Sequence, residues 1–76
     1  MSDYTEFDTY IGRKLRMTRE KRKARLEDVA ACTGISRTRL HTLEKGGSPV
    51  RPFELCQLVQ HYKITLNWLF GLQRKS

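Results

Sequence analysis

The side chains best suited to bind a partner are basic, and they are concentrated in one part of the chain. Residues 13–25 carry eight arginines and lysines and a single acid, Glu20, whereas the first eight residues carry three acids and no base. Such a run is typical of a surface that binds a polyanion, which includes DNA, RNA and an anionic membrane. A solvated helix face has the same composition, so the surrounding sequence must decide between the two interpretations.

The cysteines and histidines do not form a recognisable site. Cys32 and Cys56 lie 24 positions apart without a CxxC pair, and neither His41 nor His61 has zinc-ligand spacing to them. Each cysteine falls within an apolar helical pattern, so we expect two reduced and mostly buried thiols. We expect no metal and no other cofactor.

Length and composition exclude several classes of protein. The chain has 76 residues and a net charge of +7, which predicts one small domain over residues 1–76, with an extension at 1–5 and a loose tail at 73–76. No paired acids, Ser-His-Asp set, reactive-cysteine setting or phosphate-binding loop occurs, so we do not expect an enzyme. The longest apolar-rich stretch, 64–72, is far shorter than the roughly 20 residues of a membrane span, and the acidic N-terminus is unlike a signal peptide. We therefore expect a cytoplasmic protein with no membrane partner.

Apolar periodicity and helix-end residues predict an all-α fold of five helices. Ser36 and Thr65 are suitable N-caps, and Gly34 and Gly71 suit the position just past a helix. Pro52 suits the first position of the fourth helix, where a missing N–H costs nothing. The predicted helices cover about 6–23, 26–33, 37–45, 52–62 and 66–70.

The segment 26–45, LEDVAACTGISRTRLHTLEK, has the features of a helix-turn-helix unit. Ala30 is small where two helices must cross, and Gly34 can take the positive φ that the turn requires. The apolar positions that would hold the two helices together are Val29, Ile35, Leu40 and Leu43. The segment meets the requirements of the helix-turn-helix unit for both residue type and spacing at each of these positions.

With these residues the chain resembles the phage repressor and Cro class (XRE family) of helix-turn-helix DNA-binding domains. The resemblance covers about 11–71, and LEKG at 43–46 and TLNWLFG at 65–71 support it outside the turn. It implies a compact five-helix bundle, lambda-repressor-like, that binds double-stranded DNA as a homodimer. The second helix of the motif would then enter the major groove and read base edges.

Three positions depart from the family pattern. Leu26 stands where a glutamine usually contacts phosphate, and Arg25 stands where a Ser or Thr cap is usual. Lys63 replaces a glycine, so it must adopt a left-handed conformation or the turn must differ. The resemblance also implies a structural ion pair between Arg19 and Glu44, which would tie the first helix to the motif.

The same resemblance implies which residues form the binding surfaces. His41 is either a DNA contact or a solvated histidine. The candidate base contacts are Arg37, Thr38, Thr42 and His41. The candidate phosphate contacts are Arg25, Ser36, Arg39, Lys45, Ser48 and Arg51, with backbone N–H groups of helix N-termini near Leu26 and Ser48. The candidate dimer contacts, near the last helix, are Leu66, Asn67, Trp68, Phe70 and Leu72.

Several functions remain open at this point. We expect a transcriptional regulator, most simply a dimeric repressor on a palindromic operator, and a restriction–modification controller would share these residues. An antitoxin that sequesters a toxin partner and regulates its own gene is an alternative. A basic RNA-binding or membrane-surface domain is disfavoured, because neither role needs Ala30, Gly34 and a base-reaching helix. We expect no small-molecule effector, since the chain has no room for an effector domain.

Overall fold

The computed structural model describes residues 3–71, with side chains from residue 7 onward. Within this range the fold is all-helical, with five α-helices and no strand. The helices are α1 (Asp3–Lys21), α2 (Leu26–Thr33), α3 (Arg37–Glu44), α4 (Pro52–Tyr62) and α5 (Leu66–Phe70). The bounds of α2, α4 and α5 agree with the sequence prediction. Leu72 and the predicted tail at 73–76 lie outside the described residues.

The ends of α1 and α3 differ from the prediction. Because α1 begins at Asp3, helix already covers part of the predicted extension, and α3 ends one residue early, at Glu44. The C-terminal end of α1 is set by Lys23, which takes a left-handed conformation with φ +54°. The following N–H, of Ala24, then donates to the carbonyl of Arg19 at 3.1 Å, which closes the helix in a Schellman arrangement.

All five helices contribute to one apolar core, which contains the four apolar residues that were predicted to hold the two helices of the motif together. The buried hydroxyl of Thr33 is satisfied locally, since it donates to the carbonyl of Val29 at 2.8 Å. The core residues are Ile11, Leu15, Val29, Ile35, Leu40, Leu43, Leu58, Tyr62 and Leu69. Four of these residues lie in α2, in α3 or in the turn between them, so the core fixes the relative positions of the two helices.

The prediction of buried cysteines is wrong. Cys32 and Cys56 are both free and exposed. Cys56 lies two positions from each of two buried residues of α4, Glu54 and Leu58. Two positions correspond to about 200° around a helix, so this thiol points away from the core. The prediction failed because it relied on the apolar character of cysteine, which does not show on which face of a helix the thiol lies.

A close approach between α1 and α3 has no counterpart in the sequence prediction. A Cβ atom added to Gly12 would overlap the carbonyl oxygen of Leu43 and lie 3.0 Å from that of Glu44. Because both obstacles are backbone atoms, neither can move without shifting α3. Gly12 thus allows α1 to support the C-terminal end of α3 directly.

Between residues 3 and 71, no helix has both the length and the apolar character that a membrane crossing requires.

Candidate nucleic-acid interface

The turn between α2 and α3 is built from the residues that the sequence singled out. Gly34 has φ +80°, and its N–H donates to the carbonyl of Ala30 at 3.0 Å. Ile35 is buried in the core and anchors the turn. The Ser36 side chain accepts a hydrogen bond from the backbone N–H of Arg39 at 3.1 Å, which starts α3. The chain therefore reverses within three residues and places α3 across α2.

The outer face of α3 carries the four candidate base contacts. Arg37, Thr38 and His41 are exposed, and Thr42 is half-buried. Consecutive helical residues are about 100° apart, so these positions span an arc of about 140°. The hydroxyl of Thr42 donates to the carbonyl of Thr38 at 3.1 Å, which fixes that side chain while its oxygen can still accept a hydrogen bond. The opposite face of α3 is buried through Leu40 and Leu43.

The acid at the end of α3 is paired internally, as the resemblance implied. The Nε and Nη2 atoms of Arg19 donate to the two carboxylate oxygens of Glu44 at 2.8 and 3.0 Å. A third bond, of 3.0 Å, runs from Nη1 to the carbonyl of Ala24. The side chain of Glu44 is only 6% exposed, so its charge is withdrawn from the outer face of α3. The bidentate contact with Glu44 also raises the pKa of Arg19.

Arg39 was expected to contact phosphate, but the structure gives it another role. Its Nε and Nη2 atoms donate to the carboxylate of Glu54 at 2.6 and 2.9 Å. It also donates to the hydroxyl of Ser48 at 2.7 Å and to the carbonyl of Pro49 at 3.0 Å. These four bonds use most of the five N–H donors of a guanidinium. Arg39 therefore links α3 to α4 and the intervening loop, and we withdraw it as a phosphate contact.

The expected position of Ser48 near a helix N-terminus is wrong. Its hydroxyl accepts from Arg39, and it lies in the loop rather than at a helix N-terminus, because α4 begins at Pro52. At the true start of α4, the N–H of Arg51 donates to Glu54 at 2.9 Å. The hydrogen bonds from Arg39 and Arg51 hold the pKa of Glu54 below its usual value.

The remaining candidate phosphate contacts lie on the surface. Arg25, Ser36, Lys45 and Arg51 are all exposed. Arg25 is the N-cap residue of α2 and forms no side-chain cap, so no side chain occupies the first N–H groups of that helix. Its Nε instead donates to Asp28 at 3.1 Å, a contact that raises the pKa of Arg25.

The candidate dimer contacts of α5 separate into two groups. Leu66, Asn67 and Trp68 are exposed, whereas Phe70 is half-buried, with its ring centroid 5.6 Å from that of Phe7. The ammonium group of Lys14 lies 3.8 Å from the centroid of the Trp68 ring and donates to the Trp68 carbonyl. An open cleft of about 490 Å³ lies beside Trp68, and its apolar walls also include Met17 and Ile64.

Sequence reasoning missed Glu54, the partner of Arg39. The available signal was its position, since it lies four residues before Leu58 and therefore on the same face of α4 as that apolar residue. An acid on such a stripe needs a cationic partner, because an unpaired buried charge is costly. No feature of the sequence identified Arg39 as that partner.

Comparison with known proteins agrees with this architecture. A family model described as a helix-turn-helix domain matches residues 11–67, which includes most of α1, the whole of α2 to α4 and the start of α5. No curated protein and no solved structure matches the chain. The all-helical fold and the matched range are consistent with a domain of the repressor and Cro type. The chain therefore belongs to the helix-turn-helix domain family.

Proposed function

We propose that this protein is a sequence-specific transcriptional regulator in the cytoplasm, most simply a homodimeric repressor that inserts α3 into the major groove of a palindromic operator. The observation that carries this proposal is the outer face of α3. That face presents polar side chains able to contact base edges, while the neighbouring acid, Glu44, is 6% exposed and paired with Arg19. A helix turned toward solvent for solubility alone would not need this arrangement.

The chemistry of the outer face fits direct base reading. The fork of Arg37 matches the O6 and N7 acceptors of guanine, and such a contact contributes about 1–3 kcal/mol of discrimination. Thr38 and Thr42 each offer a methyl group to thymine or a hydroxyl to a polar base edge. His41 is exposed one turn after Arg37 and reaches the same groove or the adjacent backbone.

Phosphate contacts would come from three exposed cations around this helix and from the start of α2. Arg25, Lys45 and Arg51 are exposed, and the first N–H groups of α2, near Leu26, lack a side-chain cap. Helix N-termini of this kind bind phosphate oxygens well. With about three cationic phosphate contacts per subunit, a dimer would have a salt slope of about −5, from about −0.9 per contact.

Dimerisation is supported by apolar surface on α5 and the adjoining part of α1. Leu66, Trp68 and Met17 are large apolar side chains that remain exposed, and Met17 and Trp68 both line the cleft. Two copies related by a two-fold axis would cover this surface and double the number of base pairs that are read. Leu66, Asn67 and Trp68 are the contacts that we retain from α5, with Met17 added from α1.

The decisive experiment is selection of binding sites from a random duplex library at near-physiological salt. We expect an inverted repeat with half-sites about one helical turn apart. Salt-sensitive binding without any enrichment would refute base reading by α3. A restriction–modification controller would give the same repeat, and its location in the genome would identify that context. Stoichiometric co-purification of a second protein would instead indicate the antitoxin alternative.

Two variants sharpen the selection. Arg37→Ala should relax the selected sequence at one position of each half-site. Arg16→Ala is the matched control, because Arg16 is an exposed arginine of α1 whose Nε pairs with Glu20 at 3.0 Å. The control should leave the selected sequence unchanged. If both variants select the same sequence as the wild type, Arg37 does not read a base.

A further inference from the structure

An acidic side chain lies within the surface that would face DNA. Glu27, in the first turn of α2, has its Oε1 atom 3.6 Å from the Nε atom of Arg37, the first residue of α3. Its second oxygen is 4.0 Å from Nη1 of Arg25. Both partners of Glu27 belong to the proposed interface, one as a base contact and the other as a phosphate contact.

A negative charge at this position should weaken binding to any DNA. In the proposed complex this carboxylate faces the phosphate backbone, which repels it. The nearest proposed phosphate contact is Arg25, whose Nη1 atom is 4.0 Å from Glu27. The other acid at the end of the motif, Glu44, is 6% exposed and so is shielded from phosphate. Glu27 is exposed and is not shielded. A specific contribution to recognition would offset this general cost.

We propose that Glu27 is a positioning residue for Arg37 and so determines specificity at the base pair that Arg37 reads. This inference rests on the proposed function. The closest approach of the carboxylate is to Nε of the guanidinium, and among the described residues no hydrogen bond engages the two terminal nitrogens of Arg37. Those nitrogens form the edge that can bond both acceptors of a guanine. Both side chains are more than half exposed, so Glu27 biases the orientation of Arg37 by charge attraction, with the base-reading edge directed away from α2.

Asp28 provides a matched control for this idea. It is the next residue, also an exposed acid in the first turn of α2, and it pairs with Arg25 at 3.1 Å. No ion pair joins it to Arg37 among the described residues. Removing either acid removes one negative charge from nearly the same place, but only Glu27 contacts the base-reading arginine.

The experiment measures a specificity ratio by fluorescence anisotropy. The ratio compares the dissociation constant for the selected site with that for the same site changed at the base pair that Arg37 reads. Both Glu27→Ala and Asp28→Ala should tighten binding to the changed site, because each removes a repulsive charge. Only Glu27→Ala should lower the ratio, by about two- to fivefold, which is the range that an exposed ion pair can supply.

A double-mutant cycle completes the test. In an Arg37→Ala background, Glu27→Ala should leave the ratio unchanged, because its effect acts through that arginine. Equal ratios for Glu27→Ala and Asp28→Ala in the wild-type background would overturn the positioning role. If Arg37→Ala alone does not change the ratio, base reading by Arg37 fails and the positioning role fails with it, whereas the proposed function fails only if the library selection enriches no sequence. Thermal unfolding of each variant separates these outcomes from a loss of structure.

Discussion

The pair formed by Arg39 and Glu54 allows a quantitative test of how α3 is held. The side chain of Glu54 is 7% exposed and that of Arg39 is 22% exposed, and two hydrogen bonds of 2.6 and 2.9 Å join them. Removing one member of a fully buried pair costs about 3–5 kcal/mol. Because Arg39 keeps some contact with water, we expect Arg39→Met to lower the free energy of unfolding by about 2–3 kcal/mol.

Chemical denaturation followed by circular dichroism measures this loss. Arg16→Met is the matched control, since the pair of Arg16 with Glu20 has a similar bond length of 3.0 Å but is 60% and 53% exposed. Exposed pairs of this type contribute about 0.5 kcal/mol or less. A loss below about 0.5 kcal/mol for Arg39→Met, equal to that of the control, would refute the argument from burial.

The same pair predicts a dependence of stability on pH. The folded-state pKa of Glu54 is lowered, chiefly by the hydrogen bonds from Arg39. The contribution of ionised Glu54 to the free energy of unfolding is therefore complete above its unfolded-state pKa, about 4.3. It is lost as the pH falls through the lower folded-state pKa. Arg39→Met should reduce this acid sensitivity. A wild-type protein whose stability does not fall in acid relative to Arg39→Met would contradict the assignment.

The binding assay separates the structural role of Arg39 from its earlier assignment to phosphate. If Arg39 contacted phosphate in both subunits, its removal would reduce the magnitude of the salt slope by about 1.8, or about 0.9 per contact. We expect no change in slope when binding is measured at a temperature where Arg39→Met remains folded. A reduction of that size would show that Arg39 contacts phosphate, as the sequence first suggested.

Three further predictions follow from single positions. Arg25→Ala should weaken binding to all duplexes alike and reduce the salt slope by about 0.9 per subunit in a titration, and an unchanged slope would exclude a phosphate contact there. Gly12→Ala should cost about 1–3 kcal/mol in a urea melt, because its Cβ would overlap a backbone oxygen of α3, and full stability would show that α1 can move away. Lys63→Gly should stabilise the fold by about 0.5–1 kcal/mol, since Lys63 has φ +56°. Lys23→Gly, at φ +54°, should have the same effect. The melting temperature of both variants is measured in a thermal scan, and a fall for both would refute the strain argument.

Sequence reasoning located helices well where side chains terminate them. Ser36, Gly34 and Thr65 each have a local reason to start or stop a helix, and the structure uses each of them in that way. The end of α1 was misplaced because Lys23 has no such signal. Its left-handed conformation is stabilised by the surrounding chain rather than by its own preference.

The outward-facing positions of α3 were predictable, but the contacts that hold α3 were predicted only in part. The ion pair of Arg19 with Glu44 came from the family resemblance, not from the residues themselves. Arg39 and Glu54 are 15 positions apart, and no local rule links an exposed helical arginine to an acid of a later helix. Such a pair depends on how α3 and α4 pack, which a single sequence does not specify. The prediction that both cysteines are buried failed for a related reason. Residue type alone does not show on which face of a helix a side chain lies.

The two largely buried ion pairs of α3 have an evolutionary consequence. α3 is held by its inner face, by Arg39 near its start and by Glu44 at its end. The positions proposed to read bases take no part in the core or in either pair. Their side chains can therefore be exchanged with little effect on folding stability, since substitutions away from such features cost about 0.5 kcal/mol or less. A lineage carrying this scaffold could acquire a new target sequence through a few substitutions, without first having to accumulate compensating changes elsewhere in the domain.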